Sequence, residues 1–191
     1  MSKKKIVLVV TVLVVLAVPL AAWAFVKPVR ALAPQLAGLD CEGRVCVDDP
    51  ARRAQATAMY RNAVAFVQTR VGDMETTPRA VFCSTRACSE KFGLGHRNAY
   101  NVGLAALVIG YRGWYPFFVR HELIHHLQIE RSGSVRMWLF KPIWFREGMA
   151  YSLSKDPRRP LVEPLEGYRS EFETWYQQIG PERLWAEAER L

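Results

Sequence analysis

The stretch HELIHHLQ, residues 121–128, constrains the fold of this chain more than any other short segment. The chain has four histidines, and three of them lie within this stretch. On an α-helix, residues four apart share one face and lie about one turn apart. If residues 116–133 form the helix that their pattern predicts, His121 and His125 direct their imidazoles toward one point. Glu122 then lies beside the first imidazole.

These residues match the pattern H-E-x-x-H, in which two histidines bind zinc and the glutamate acts as a general base. Zinc at His121 and His125 would lower the pKa of a water molecule, and Glu122 could take its proton. A catalytic zinc also needs a third protein ligand and an open coordination position. The longer pattern H-E-x-x-H-x-x-G-x-x-H does not continue here, because position 128 is Gln and position 131 is Arg.

The sequence WFREGMA supplies a candidate third ligand, Glu147. The chain between His125 and Glu147 is long enough for the first helix to end, turn and be followed by an antiparallel one. Gly148 and Ala150 are small and would let the second helix approach the first closely. If Glu147 is instead a solvated helix residue, Glu130 is the nearest substitute.

HELIHH followed by WFREGMAYSL resembles the gluzincin group of zinc metallopeptidases, the thermolysin-like and aminopeptidase-like clan. The likeness is close over residues 119–154 and looser from residue 79 onward. It implies an α+β, zincin-like metallopeptidase domain with a zinc ion and a general base. The implied ligands are His121, His125 and Glu147, and the implied base is Glu122. The resemblance also implies a sheet-edge strand within residues 100–109 that pairs with an extended substrate.

The chain departs from this group around the expected site. Some members carry an aspartate one turn after the ligand glutamate, where it supports the first histidine, but here that position is Tyr151. Several residues could stabilise the oxyanion of a tetrahedral intermediate: Tyr151, Tyr168, Tyr176 and His96. The large C-terminal helical domain of bigger relatives is absent from this sequence, so the resemblance implies a reduced version with an open cleft.

The N-terminal segment combines a basic start, MSKKK, with an uncharged run over residues 6–26. Such a run is long enough to cross a bilayer as a helix. It also has the layout of a secretory signal peptide, with Pro19 after the apolar core and Ala22-Trp23-Ala24 as a cleavage site. Both alternatives for residues 1–26, a cleaved signal peptide and a transmembrane signal anchor, place the remainder outside the cytoplasm. We therefore expect a cell-envelope protein, periplasmic or outer-facing, that is secreted or membrane-anchored.

The four cysteines form two C-x4-C pairs and support export. Four cysteines allow three disulfide pairings, and short local loops favour Cys41–Cys46 and Cys83–Cys88. Disulfides of this kind persist in oxidising compartments. A zinc site of four thiolates is the competing interpretation, although C-x4-C is wider than the usual spacing in such sites.

The formal net charge of +8 raises the question of nucleic-acid binding. Three of the basic residues belong to the N-terminal MSKKK, and beyond it no basic run is longer than Arg52-Arg53 or Arg158-Arg159. We therefore expect no nucleic-acid partner. Anionic lipid headgroups, envelope polymers or solubility alone account for the charge. The expected partners are a peptide or protein substrate and, through the N-terminal helix, a membrane; the oligomeric state does not follow from the sequence.

Hydrophobic periodicity predicts a helix, then short strands, then mostly helices, which is an α+β arrangement. Residues 27–48 contain scattered prolines and glycines and are predicted to be a linker with a small cysteine loop. Residues 49–191 are predicted to be the metallopeptidase domain. The expected helices are 49–71, 87–92, 116–133, 142–154, 166–179 and 181–191, and the expected strands are 78–83 and 104–109.

The leading hypothesis is a zinc-dependent peptidase of the cell envelope in which Glu122 activates water. The alternative is a non-catalytic envelope binding or assembly module that keeps the zincin fold and a structural zinc. A membrane-associated interaction domain without metal is the third interpretation.

Overall fold

The computed structural model describes residues 2–191, apart from the side chains of Val9, Leu16, Pro19, Leu20 and Ala24. The helices in this described part are α1 (Lys3–Phe25), α2 (Arg53–Arg70), α3 (Arg86–Lys91), α4 (Pro116–Ser132), α5 (Ser134–Leu139), α6 (Ile143–Leu153), α7 (Leu165–Ile179) and α8 (Leu184–Ala188). The strands are β1 (Asp40–Glu42), β2 (Val45–Val47), β3 (Arg79–Phe82), β4 (Ala99–Val102) and β5 (Ala106–Ile109). Short 3-10 helices cover Lys27–Leu32, Pro34–Ala37, Pro50–Arg52 and Pro181–Arg183. The predicted α+β class is confirmed.

Among the residues so described, no helix combines the length and the apolar composition that a membrane span requires. Both alternatives for residues 1–26, a cleaved signal peptide and a transmembrane signal anchor, stay predictions.

A mixed five-stranded sheet forms the centre of the fold, in the order β1-β2-β3-β5-β4. Strands β2, β3 and β5 run parallel, with Val47 opposite Phe82 and Phe82 opposite Ile109. Strands β1 and β4 are antiparallel to their neighbours, with Cys41 opposite Cys46 at one side of the sheet. Since β4 pairs only with β5 in the described chain, its other side is an open edge.

Apolar side chains cover both faces of this sheet. Successive side chains of a strand point to opposite faces, so Phe82 and Ile109 belong to one core cluster while Val81 and Val108 belong to another. Residues of α2, α4, α6, α7 and α8 complete the first cluster. Strands covered on both sides read as apolar runs rather than as alternating patterns, which explains the sequence ALVI of β5.

The helix α4 runs through the larger core cluster. Pro116 lies in its first turn, where a missing N–H is tolerated, and the helix ends at Gly133, whose φ of 76° suits glycine. Its apolar core residues are Val119, Leu123, Ile124, Leu127 and Ile129. His121, Glu122 and His125 are buried on the same helix. Burying ionisable groups costs free energy unless they are paired or bind a metal. The burial of these three side chains therefore indicates a functional site.

Residues 27–48 differ from the prediction of a linker. Here β1 and β2 extend the central sheet, and Ala31, Val45 and Val47 are buried. The strands have three residues each, too few to show a period in the sequence.

The predicted helix at residues 49–71 is present as a 3-10 turn followed by α2. Asp49 caps its first turn, since its Oδ1 accepts a hydrogen bond from the Ala51 N–H at 3.0 Å. The helix α5, which follows α4, was not predicted. Strand β4 precedes the strand expected at 104–109, lies at the edge of the sheet and overlaps residues 100–109, where the resemblance implied an edge strand.

Both predicted disulfides, Cys41–Cys46 and Cys83–Cys88, are confirmed, and the structure contains no free cysteine among its described residues. The thiolate zinc site is therefore excluded. Two disulfides are consistent with an oxidising, extracytoplasmic location.

Candidate metal centre

His121 and His125 lie one turn apart on α4 and direct their imidazoles to one point. Their Nε2 atoms are 3.1 Å apart, and the ring centroids are 4.7 Å apart with the planes nearly perpendicular. Both residues are buried. The pKa of His121 is well below its ordinary value, first because of burial and then because of His125 and Arg158. His121 is therefore a neutral imidazole, which has the lone pair that a metal ligand needs.

Glu147, on α6, completes the group. Its Oε2 lies 3.8 Å from Nε2 of His121, and its Oε1 lies 3.7 Å from Nε2 of His125. The candidate ligand atoms of the three residues all lie within 4.8 Å of one another. The structure thus brings together the three residues that the sequence proposes as ligands.

The spacing of these atoms fits a small divalent ion. Ligand atoms placed tetrahedrally at about 2.1 Å from zinc stand about 3.4 Å from each other. The separation of 3.1 Å between the two Nε2 atoms is within a few tenths of an ångström of that value. Each of these nitrogens also has one carboxylate oxygen of Glu147 nearby, Oε2 at 3.8 Å from His121 and Oε1 at 3.7 Å from His125. His121, His125 and Glu147 could therefore hold a metal ion, and two imidazoles with one carboxylate are a donor set that zinc accepts.

Gln128 orients the second histidine. Its side-chain N–H donates to the Arg146 carbonyl at 3.1 Å, so its Oε1 is free to accept from Nδ1 of His125 at 2.9 Å. A proton on Nδ1 leaves the lone pair on Nε2, which faces His121 and Glu147. The sequence reasoning treated position 128 only as the break in a longer histidine motif. Its place three residues after His125, on the same helical face, was the signal that could have identified it.

Glu122 is buried beside the ligand group, with 6% of its surface exposed. Burial, followed by the negative charge of Glu147, raises the pKa of Glu122 to about 8, and Arg97 opposes this shift. A carboxyl group whose pKa lies near neutrality is suited to exchanging protons in a reaction.

Tyr151 lies one turn after Glu147 on α6. Its ring meets the His121 ring edge-on, with centroids 4.5 Å apart. Burial, helped by Glu147, raises the pKa of Tyr151 to about 12. The hydroxyl therefore keeps its proton at neutral pH and can donate a hydrogen bond into the adjoining cavity.

The group His121, His125 and Glu147, here called the metal-ligating group because it could hold an ion, opens into a cavity of about 520 Å³. The residues that line it are His96, Arg97, Asn98, Ala99, Tyr100, Asn101, Phe118, His121, Glu122, His125, Trp138, Glu147, Tyr151 and Arg158. Of the four residues considered for the oxyanion, Tyr151 and His96 lie here. Tyr168 and Tyr176 are instead on α7, which contributes no residue to this lining. Trp138, 49% exposed, lies 6.5 Å from the His125 ring by centroids and forms part of the rim.

Glu130, the substitute considered for Glu147, belongs to a different cluster. Its carboxylate accepts hydrogen bonds from the Thr76 hydroxyl at 2.5 Å and the Thr76 N–H at 2.8 Å. Nε2 of His126 lies 3.0 Å from both the Glu130 carboxylate and the Thr76 carbonyl. His126 and Glu130 therefore fasten α4 to the loop before β3, and Glu130 is not a ligand in this arrangement.

Gly148 lies at the contact between α6 and α7, and not at the predicted contact between α6 and α4. A Cβ built on it would lie 2.1 Å from the Tyr168 carbonyl oxygen and 2.7 Å from Cβ of Phe172, both on α7. The missing side chain therefore lets α7 approach α6, whereas the prediction assigned it to the contact between α6 and α4. The packing of α7 thus helps to position Glu147.

Arg158 is a cavity residue that sequence reasoning noticed only as half of a basic pair. It lies in the loop after α6, and its side chain contacts Asp156 and the aromatic residues at the start of α4. No sequence pattern links it to the histidines, because the loop is irregular and only the folded chain brings it to the cavity.

The features of this centre come from the structure of this chain alone. They are the spacing of the three candidate ligands, the buried carboxyl group of Glu122 and the adjoining cavity. None of the protein-family models, curated proteins or solved structures compared with this chain matches it.

Proposed function

We propose that this protein is a zinc metallopeptidase of the gluzincin type that acts in the cell envelope. The observation that carries the proposal is the group His121, His125 and Glu147, with ligand atoms within 4.8 Å of one another, beside the buried Glu122. The proposed fold is a small zincin-like domain in which α4 and α6 supply the ligands.

A zinc ion held by these residues supplies Lewis acidity, which polarises a carbonyl group and acidifies water. Glu122 accepts the proton of the attacking water at its carboxylate and later gives it to the leaving amine. The residue is suited to both steps, because burial raises the pKa of its carboxyl group to about 8 while Arg97 limits the shift.

Tyr151 stabilises the negative charge that develops on the carbonyl oxygen. It lines the cavity, contacts His121 and keeps its proton, so its hydroxyl is a fixed donor. Donors positioned for a developing oxyanion are among the larger contributions to catalysis.

Strand β4 binds the substrate backbone as an added strand. The carbonyls of Asn98 and Val102 accept hydrogen bonds from the β5 side, from Gly110 at 2.8 Å and Ala105 at 3.1 Å. Backbone groups alternate along a strand, so those of Ala99 and Asn101 face the open edge. Both residues line the cavity. An extended peptide pairing there would be held by main-chain hydrogen bonds, largely independent of its sequence.

A catalytic role is favoured over a structural zinc by the number of ligands. Structural zinc is usually closed by four protein ligands, and a catalytic zinc keeps one position open. Among the described residues the metal-ligating group has three members, and it borders a cavity.

The full chain should be expressed in an oxidising compartment, and bound metal should be measured by mass spectrometry. We expect one zinc per chain, lost or much weakened in His125→Ala and in Glu147→Ala. Glu171→Gln, an exposed change on α7, is the matched control and should keep its zinc. No zinc in the parent protein would overturn the proposal.

The catalytic step needs a separate variant. Glu122→Gln should keep zinc and lose turnover on a peptide library by a factor of about 100 or more. Undiminished turnover in this variant would show that Glu122 is not the base.

A further inference from the structure

Asp156 holds the guanidinium of Arg158 by one edge. The Asp156 side chain is 1% exposed, whereas that of Arg158 is 41% exposed at the cavity. The Nε atom donates to Oδ1 at 2.9 Å and to Oδ2 at 3.1 Å, and Nη2 also contacts Oδ2. The backbone N–H of Arg158 donates to the same carboxylate at 3.0 Å. Asp156 therefore fixes the guanidinium while leaving Nη1 unengaged by that carboxylate.

Aromatic rings restrict the guanidinium from other sides. Its Cζ lies 4.8 Å from the ring centroid of Phe118, 5.2 Å from that of Phe117 and 6.0 Å from that of Tyr151. Such contacts replace water around the cation and limit its rotamers. An arginine ordered before binding loses less entropy when it takes up an anion.

The charge of the cavity favours an anion. Glu122 and Glu147 are the carboxylates of the described lining, and Arg97 and Arg158 are its guanidinium groups. Asp156, which is paired with Arg158, adds a third carboxylate behind the lining. A divalent ion at the histidines would still leave the formal charges of these groups positive by a single charge. The lining offers no further carboxylate that could hold the free amine of a substrate.

The distance from Arg158 to the metal ligands can be spanned by an extended peptide of a few residues. The Tyr151 ring contacts both sides, with its centroid 4.5 Å from that of His121 and 6.0 Å from Cζ of Arg158. An extended chain advances about 3.5 Å per residue. A group bound at Arg158 is thus at most about three residues from a bond held at the metal ligands.

We propose that Arg158, positioned by Asp156, binds a carboxylate of the substrate within about three residues of the bond that is hydrolysed. The inference rests on the proposed function and adds a substrate class to it: peptides with a carboxylate near the scissile bond. Both a free C-terminus and an acidic side chain offer that chemistry. Arg158 forms a charge-assisted, two-point contact with either one.

Binding can be measured without turnover in the zinc-loaded Glu122→Gln protein. The probes are N-acetylated tetra-alanine with a free carboxyl terminus, the same peptide amidated, and two amidated peptides with aspartate or asparagine as the last residue. We expect at least one carboxylate peptide to bind about tenfold or more tightly than its neutral partner. The acid–amide pair reports on a C-terminus, and the aspartate–asparagine pair reports on a side chain.

Arg158→Gln should remove this preference, and Asp156→Asn should reduce it. Arg159→Gln is the matched control, because that neighbouring arginine bonds Glu173 and does not line the cavity. Persistence of the preference in Arg158→Gln would overturn the inference. Equal binding of acid and neutral peptides, or no binding of all four at millimolar concentration, would overturn it as well.

A second assay separates this inference from the proposed function. With Glu122 intact, cleavage that shows no preference for a carboxylate would remove the inference and keep the peptidase. Arg158-dependent binding in a protein that cleaves none of the peptides would retain the anion site and reject the peptidase.

Discussion

Gln128 and His125 are joined by a hydrogen bond of 2.9 Å, in which Nδ1 of the imidazole donates to the amide oxygen. The same amide donates to the Arg146 carbonyl on α6 at 3.1 Å. His125 on α4 is therefore held by a side chain that is itself fixed to α6, the helix that carries Glu147. In metal sites a carboxylate often orients a ligand histidine in this way, and here the amide of Gln128 takes that position.

Removing this partner should weaken metal binding. Gln128→Leu keeps a similar volume but loses control of the His125 tautomer, and we expect zinc affinity to fall about 10- to 100-fold. Gln128→Glu retains an acceptor and should preserve more of the affinity. Competition with a chromophoric chelator measures both, with the exposed Gln177→Leu as control. An unchanged dissociation constant in Gln128→Leu would mean that the hydrogen bond does not orient the ligand.

Tyr151→Phe tests the oxyanion role. Loss of one positioned donor should lower kcat by about 100-fold or more, while zinc affinity stays within about twofold, because the ring contact with His121 remains. Steady-state kinetics and chelator competition together give the two numbers. Tyr176→Phe, away from the cavity lining on α7, is the control. Equal kcat in the parent and Tyr151→Phe would remove this residue from the mechanism.

Gly148→Ala tests the contact between α6 and α7. The added Cβ would lie 2.1 Å from a backbone oxygen, so the helices must separate. Overpacking of this kind destabilises a protein by about 1–3 kcal/mol, and zinc affinity should fall because Glu147 is the adjacent residue. Gly167→Ala, on α7, meets only the flexible Glu163 carboxylate at 3.2 Å and should be nearly neutral. Urea unfolding measures both, and equal midpoints would contradict the packing argument.

Glu130 should make stability depend on pH. Burial alone would raise the pKa of its carboxyl group, but hydrogen bonds from Thr76 and Glu75, with nearby His126, outweigh it and lower the pKa. Between the lowered pKa and the ordinary value of about 4.5, the unfolded chain binds more protons, so stability rises with pH. The contribution of Glu130 is complete above the ordinary value and is lost as pH falls through the folded pKa.

Glu130→Gln should therefore destabilise the protein by about 1–3 kcal/mol at neutral pH. The difference from the parent should shrink steadily in acid. Unfolding curves recorded across the acid range measure it, with the exposed Glu171→Gln as reference. A difference that stays constant down to the most acid folded sample would contradict the assignment.

The grouping of His121, His125 and Glu147 was predictable because its parts are local patterns. His121 and His125 have helical spacing within one segment, and Glu147 lies in a short recognisable motif. The cysteine pairs were predictable for the same reason, since each closes a short loop. Contacts between residues that are close in the sequence can be predicted from their spacing alone.

The remainder of the site depends on contacts between distant segments. Arg158 reaches the cavity through a loop, and β4 becomes an edge only when β5 pairs with β3. The role of Gly148 could not be read from its size, because a small residue does not show which neighbouring helix approaches it. The three-residue strands β1 and β2, and β4 with its mixed sequence AYNV, carry too little periodicity to be recognised, whereas β5 is a continuous apolar run.

The residues of α4 are buried, whereas much of the cavity rim is exposed, and this difference affects how the protein can change over evolutionary time. His121, Glu122 and His125 lie on a helix packed into the core, where most substitutions are harmful. Across the cavity, the residues His96, Arg97, Trp138 and Arg158 occupy loops, a short helix and the exposed rim. Surface positions of this kind accept replacement far more readily. Descendants of this chain can thus change the shape and charge of the rim while keeping the buried residues of α4 unchanged.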